Sequence, residues 1–339
     1  MTQTTAFRKG ARTIAPSNNP AKNDDIISRW NGKVDTRFNN LKNRITRLVG
    51  KNDVFGLSSG ATSDAQRTQT NKLDFSRGTD NTRINQFMVW LRNMEKADKI
   101  DIIYNTGWAD PQIRQNFARG GSVASKDVTA LTAGTESGAL YTPIGTSGRT
   151  LSTFMGQRMS TARIKLAHSR VLNGMRGVTV AMNNQIANVL AEGLTEGIGA
   201  TAMARRINDR VDKIGITRAK LIARTESNQI YNEGALMEFD NASGMIGETV
   251  LSQWWATLDN RVRASHLARH GKVFKREDAM LLIGEPNCRC SLLPYIESIE
   301  GEVKLSKAST FTNSIILNMQ DEECWAKYDW REVCTCCAA

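Results

Sequence analysis

The stretch from Ala223 to Pro294 constrains this chain more than any other, because unusual polar residues recur there at spacings that only a defined fold can use. It opens on Ala223-Arg224-Thr225-Glu226, followed by Asn228 and Asn232. On a helix Arg224, Asn228 and Asn232 stand four apart and project from one side. Thr249 to Asp259, rich in Val, Leu, Trp and Thr, predicts a strand. Asp259 is the expected N-cap of a helix carrying Arg263, His266 and His270, which Gly271 ends. Lys272-Val273-Phe274 fits a second short strand. The segment then closes on Pro286-Asn287-Cys288-Arg289-Cys290 and the apolar run Ser291 to Leu293.

Two of the three histidines and two of the six cysteines fall in this window. His266 and His270 are spaced i, i+4, which puts both imidazoles on one helical face at a spacing zinc accepts. Cys-x-Cys is tighter than the usual Cys-x2-Cys, but in a strand residues i and i+2 share a face, so both thiolates can converge on one ion. His266, His270, Cys288 and Cys290 are therefore candidate ligands of a closed structural Zn2+ site with no open position for catalysis. The competing reading is structural: cysteine as a small buried apolar residue, and a histidine serving helix-terminal carbonyls. The Arg224–Glu226 band likewise reads first as a helix tied to a loop.

The rest of the chain reads as scaffold, arm or linker. Ile26, Ile27, Trp30, Val34, Phe38, Leu41, Ile45, Leu48 and Val49 form one apolar helical stripe. Lys33, Arg37, Lys42, Arg44 and Arg47 line much of the remainder of that helix, which fits either a surface for nucleic acid or a solvated face. Gly56 to Thr82 lacks periodicity and predicts a linker. Helical patterning returns at Ile84, capped by Asp80 or Thr82. Gly120-Gly121 and the Gly/Ser/Thr-rich 132–150 stretch predict breaks. Beyond 150 the patterning predicts helices at 159–175, at 178–190 ending near Gly193, one capped by Thr201 and stopped by Gly215, and one beginning at Thr217.

Charge is uneven. Residues 1–100 hold 18 Lys and Arg against 9 Asp and Glu, whereas residues 291–339 hold 4 against 8. A basic front, including Arg8, Lys9 and Arg12, suits a polyanion, and an acidic back suits a different partner. No apolar run reaches the ~20 residues that span a bilayer, so no membrane partner is expected. Met1 to Lys9 has no apolar core of the secretory kind. The cysteines cluster instead of forming a disulfide framework, which favours a reducing compartment.

Taken together, Arg224, Thr225, Glu226 and Asn228, then Trp255, Thr257, Asp259, Arg263, His266 and Gly271, then Pro286, Asn287, Cys288, Arg289 and Cys290 resemble the phage head-morphogenesis family, that of the Mu-type F protein and related minor head proteins. The resemblance runs over roughly residues 150–295. One departure is Glu285 before Pro286, where the family often has histidine. If that histidine is a ligand, Glu285 or His270 takes its place.

The resemblance implies a minor head protein of a tailed phage, without required catalysis, assembled in the bacterial cytoplasm and located in the virion. Its implied partners are the portal protein, other head proteins and double-stranded DNA bound without sequence preference. The expected fold class is α+β, mainly α-helical, with a small β-containing C-terminal module. The expected organisation is 1–55 basic arm and amphipathic helix, 56–82 polar linker, 83–150 helical and loop region, 151–300 head-morphogenesis domain, and 301–339 acidic, Cys-rich tail. The alternative is a metal-dependent nuclease or hydrolase using Glu226, Asp259, His266 and the cysteine pair. A helix-turn-helix regulator lacks its signal here.

Overall fold

The computed structural model describes residues 20–57, 73–98, 106–259 and 261–310 of the 339-residue chain. It is mainly helical with one small antiparallel sheet, the α+β class expected. Arg8, Lys9, Arg12 and the tail cysteines Cys324, Cys334, Cys336 and Cys337 lie outside the described residues. The chain divides into two compact units: one holds residues 20–29, Ala109–Ser169 and 223–310, the other Trp30–Trp108 and Arg170–Ile222.

In the second unit the apolar stripe folds as expected. Helix α1 (Asp24–Ile45) buries Trp30, Val34, Phe38, Leu41 and Ile45, and a π-helical turn, Thr46–Lys51, carries the buried Leu48 and Val49. Phe75 is buried against Phe55 and Phe87, at ring separations of 5.8 and 6.4 Å, and its N–H donates to Val54 O. Helix α2 (Asp80–Ala97) is capped one residue before the earlier of the two expected caps. Thr79 has the extended backbone of an N-cap and accepts from Thr82 N.

Two glycines expected to stop helices do not. Residues 159–190 belong to one helix, α3 (Arg158–Glu196), which runs through Gly193 and ends at Gly197, where φ is +67°. Helix α4 (Ala200–Arg210), preceded by Gly199 as N-cap in place of Thr201, passes through a π-helical turn, Val211–Ile216, directly into α5 (Thr217–Ile246). Gly215 sits inside that turn because a Cβ there would stand 2.6 Å from the Phe38 ring. Its missing side chain serves packing, not termination.

The same physics corrects Gly120-Gly121 in the first unit. They lie within helix α6 (Asp110–Thr132). A Cβ on Gly120 would meet Tyr231 O at 1.9 Å, and one on Gly234 would meet Phe117 O at 2.2 Å. The two helices therefore cross with backbones touching, which only glycine permits. Asn23, Asn116 and Ser227 fill the buried polar space nearby with mutual hydrogen bonds. Between the short helices α7 (Glu136–Leu140) and α8 (Leu151–Gly156), Arg149 makes a two-pronged ion pair of 2.6 and 2.8 Å with the wholly buried Glu238.

The sheet follows α5. Its strands β1 (Leu251–Trp255), β2 (Val273–Phe274) and β3 (Ser291–Tyr295) lie in the order β2-β1-β3, all antiparallel, with Ser252 opposite Phe274 and Trp254 opposite Leu292. Helices α9 (Ala264–Arg269) and α10 (Arg276–Leu282) fill the connections, and α11 (Glu297–Glu300) follows β3. Phe239, Ile246, Val250, Trp254, Phe274, Leu282, Leu292 and Ile296 form the core that fixes sheet to helix. Among the described residues no helix is long and apolar enough to cross a membrane.

Candidate functional site

The polar band of α5 is a docking edge for the loop between α10 and β3. Gly284 and Asn287 adopt positive φ, +95° and +54°, so the loop turns sharply at both. Asparagine tolerates that region better than other residues with a side chain. Asn287 is also pinned twice: its N–H donates to Thr225 Oγ1 at 3.0 Å, and its Oδ1 accepts from Arg224 Nε at 2.8 Å. One turn on, Asn228 and Asn232 both donate to Cys290 O, at 3.0 and 3.1 Å. Asn232 Oδ1 accepts from Leu292 N at 3.1 Å. Because β3 is an edge strand, the Asn232 amide pairs its outer side as another strand would. Glu226 is buried in the same band.

The segment after β1 grips the loop from its other end. Thr257 Oγ1 donates to Arg289 O at 3.2 Å, and Arg289 binds Asp259 with both guanidinium nitrogens at 2.6 and 2.8 Å. The Arg289 hydrogen bonds hold the Asp259 carboxyl at about 2, against the opposing effect of burial. Asp259 is thus not the expected N-cap. It accepts from Arg261 N in a local turn, and α9 begins later, behind Arg263. Arg263 itself donates to Glu285 Oε2 at 3.2 Å and to Pro286 O. Gly271, at φ +75°, returns the chain to β1 by donating to Trp254 O at 2.9 Å.

At the centre stands His266, buried on α9. Its Nδ1 lies 3.2 Å from Cys290 Sγ and 3.6 Å from Cys288 Sγ, while its Nε2 bonds Glu285 Oε2. Glu285 Oε1 is 2.6 Å from Arg269 Nη1, and that fully buried guanidinium packs over the Trp254 ring. Burial alone would lower the His266 pKa, but the bonds to Cys288 and Glu285 raise it to about 9. Glu285 goes down to about 2, since His266 and Arg269 outweigh its burial. The Cys288 thiol, donating to its neighbour and buried, is pushed up. Cys290 is moved down, chiefly by that bond, with the Trp254 indole and the Thr257 amide adding to it.

The donor set suits zinc. His266 Nδ1 and the two sulfurs all lie within 4.8 Å of one another. In a tetrahedral site with ordinary Zn–S and Zn–N bonds, nitrogen and sulfur stand about 3.5 Å apart, which the two N···S distances bracket. The ring nitrogen facing away from the sulfurs holds a carboxylate, the usual outer partner of a metal-bound histidine. Glu285, read from sequence as a replacement ligand, has that supporting position.

His270 is outside the cluster. Helix α9 stops at Arg269, and His270 follows with ψ 128°, so it no longer shares a helical face with His266. Its Nδ1 accepts from Ala256 N at 3.2 Å, and its ring packs 4.7 Å from that of Trp255. Arg269 and Trp254 were missed by sequence reading. The i, i+3 spacing of Arg269 from His266 was the available signal.

The basic residues of α1 are mostly engaged within their own unit. Lys33 donates to Trp108 O, the Arg37 guanidinium lies over the Trp108 ring, and Lys42 pairs with Asp212 at 2.6 Å. Arg44 pairs with Asp98 but is half exposed, and Arg47 is exposed with no ion-pair partner among the described residues.

Comparison with known proteins places these motifs. The family model described as "Phage Mu protein F like protein" matches residues 184–293. The chain is similar to the minor head protein GP7 of Bacillus phage SPP1, 26% identical over 152 residues that cover 40% of this chain and 48% of that protein. It is also similar to an NAD(+)--arginine ADP-ribosyltransferase, EFV, of Enterococcus faecalis, 24% identical over 138 residues, covering 37% of this chain and 28% of that protein. The chain thus spans about half the length of the first relative and less of the second. No solved structure matches the chain. Residues 184–293, which include the α5 docking edge and the Asn-Cys-Arg-Cys loop, are thus similar to the phage Mu F-like family of head-morphogenesis proteins.

Proposed function

We propose that this chain is a minor head protein of a tailed bacteriophage, assembled in the bacterial cytoplasm and retained in the virion near the portal, where it contacts packaged double-stranded DNA without sequence preference. Residues 151–300 are its head-morphogenesis module. Residues 1–55 and 301–339 are its basic and acidic ends. The observation that carries this reading is that the family-matched residues are spent on one another. Arg224, Thr225, Asn228, Thr257, Asp259 and Arg263 all bond to the 285–290 loop or its side chains, directly closing the fold. The similarity to a minor head protein supports the biological setting.

The clasp takes one structural Zn2+ on His266 Nδ1, Cys288 and Cys290, with Glu285 behind the imidazole. Zinc there would supply cross-linking of the loop to α9, stabilising the closed module. A catalytic role is disfavoured: the three donors are only 3–5% exposed, leaving a substrate no approach. The nuclease alternative also asks Asp259 to act on water while it is committed to Arg289. The transferase name belongs to a protein of which the match covers 28%. The test is to purify intact particles and probe them for this chain and the portal. The expected result is the chain present in few copies and co-purifying with portal complexes; particles that lack it contradict the proposal.

A further inference from the structure

The second unit carries a groove beside the basic face of α1. It encloses about 500 Å³ between α1 with its π-helical turn and α2, and its lining includes Asn40, Asn43, Arg44, Arg47, Asn52 and Trp90. That volume accommodates about one or two nucleotide units, within the range of ligand pockets. Its polar lining consists of amides and two cations, of which Arg44 is paired with Asp98 and Arg47 has no ion-pair partner among the described residues. Asn40, Asn43, Arg44 and Arg47 are exposed. Trp90 is half-buried and braced by Phe87 at a ring separation of 5.2 Å, so its indole is a fixed platform.

The π-helical turn shapes one wall. Asn52 N–H donates back five residues to Arg47 O at 2.9 Å, widening the helix where Arg47 and Asn52 enter the groove. Such turns are costly in isolation and concentrate at functional sites.

We infer that this groove binds a single strand of nucleic acid, with a phosphate on Arg47 and a base stacked on Trp90. A cationic rim beside a rigid aromatic face is the chemistry that holds unpaired strands without sequence preference, while amides satisfy base edges or sugars. A duplex keeps its bases stacked inside and would use only the cations. Arg47 lies within the basic end, residues 1–55, so this inference rests on the nucleic-acid reading of that end and deepens it by naming a single strand as the ligand of the groove.

The test uses the full chain and its R8Q/K9Q/R12Q variant, which reduces background binding by the basic front. Fluorescence anisotropy is read with a labelled dT12 oligonucleotide and with a labelled 12-base-pair duplex. Trp90→Leu should weaken dT12 binding about tenfold, as loss of one stacked base does. Arg47→Gln should weaken it about threefold or more and lower the salt slope by about 0.7, the value for one phosphate contact on a single strand. Neither should change duplex binding as much. Arg47 is exposed, so its variant tests the groove without threatening the fold. Unchanged dT12 affinity in both variants overturns the inference. Equal losses on duplex and dT12 overturn the single-strand assignment. A wild-type chain that does not bind dT12 at low salt overturns it too, while leaving the presence of the chain in particles as a separate result.

Discussion

The clasp and the groove use the same residue types to opposite ends. In the clasp, Arg263, Arg269 and Arg289 are paired with Glu285 and Asp259, and Asn228 and Asn232 are bonded to the strand backbone. In the groove, Asn40, Asn43 and Arg47 face solvent beside a braced Trp90. Arginine, asparagine and tryptophan therefore do not announce binding by their presence. Their burial and pairing decide whether they close a fold or receive a partner. Substitutions in the clasp should register as stability, and those in the groove as affinity.

The largest effect should come from Glu285→Gln. It leaves Arg269 buried without its counter-charge, and breaking such a pair costs about 3–5 kcal/mol. Urea unfolding should show it, and a cost under ~1 kcal/mol would break the distinction between the two regions. Gly120→Ala should cost about 1–3 kcal/mol or more, because its Cβ meets Tyr231 O at 1.9 Å. Gly177→Ala, on α3 with nothing within 4 Å, should instead be neutral or stabilising by up to ~1 kcal/mol. Comparing the two by thermal melting separates packing glycines from merely permissive ones. Asn232→Ala should cost about 1–3 kcal/mol by leaving Leu292 N–H without its acceptor, with faster hydrogen exchange at that amide as the local sign.

A smaller effect is pH-dependent. The Asp259 carboxyl is held at about 2 by Arg289, below its ordinary 3.8. A lowered acid stabilises the fold above the unfolded value and loses that contribution as pH falls through about 4 towards 2. Asp259→Asn should flatten the acid limb of the stability profile there, and an unchanged limb would remove Asp259 from the clasp's energetics. Least affected should be Arg47→Gln, whose stability should stay within ~0.5 kcal/mol of the parent because the side chain is exposed and unpaired among the described residues.

Much of the clasp was legible in sequence because it rests on short-range periodicity. Arg224, Asn228 and Asn232 share one helical side, and β1 and β2 sit where strands were expected, whereas Ser291 to Leu293, read only as an apolar run, is part of β3. What misled was every inference that depended on a distant neighbour. Gly120 and Gly215 read as helix breakers, yet each makes room for a partner over 100 residues away in the chain, Tyr231 and Phe38 respectively. His270 shares His266's face only if the helix continues, and it ends one residue too soon. Phe75 lies within the stretch read as a linker, where no periodicity marks it, yet it packs against Phe55 and Phe87. The supporting role of Glu285 also needed Arg269 and His266 together in space.

On the reading proposed above, the Ala223–Pro294 window is a metal-stapled clasp centred on His266, Cys288 and Cys290. Metal analysis of the full chain, purified without chelator, tests it most directly when wild type, His266→Ala, Cys290→Ser and His270→Ala are compared. The predicted result is about one zinc per chain in the wild type and in His270→Ala, and loss of zinc in the other two. A wild type without metal, or a metal that leaves with His270 but stays without His266, would contradict it.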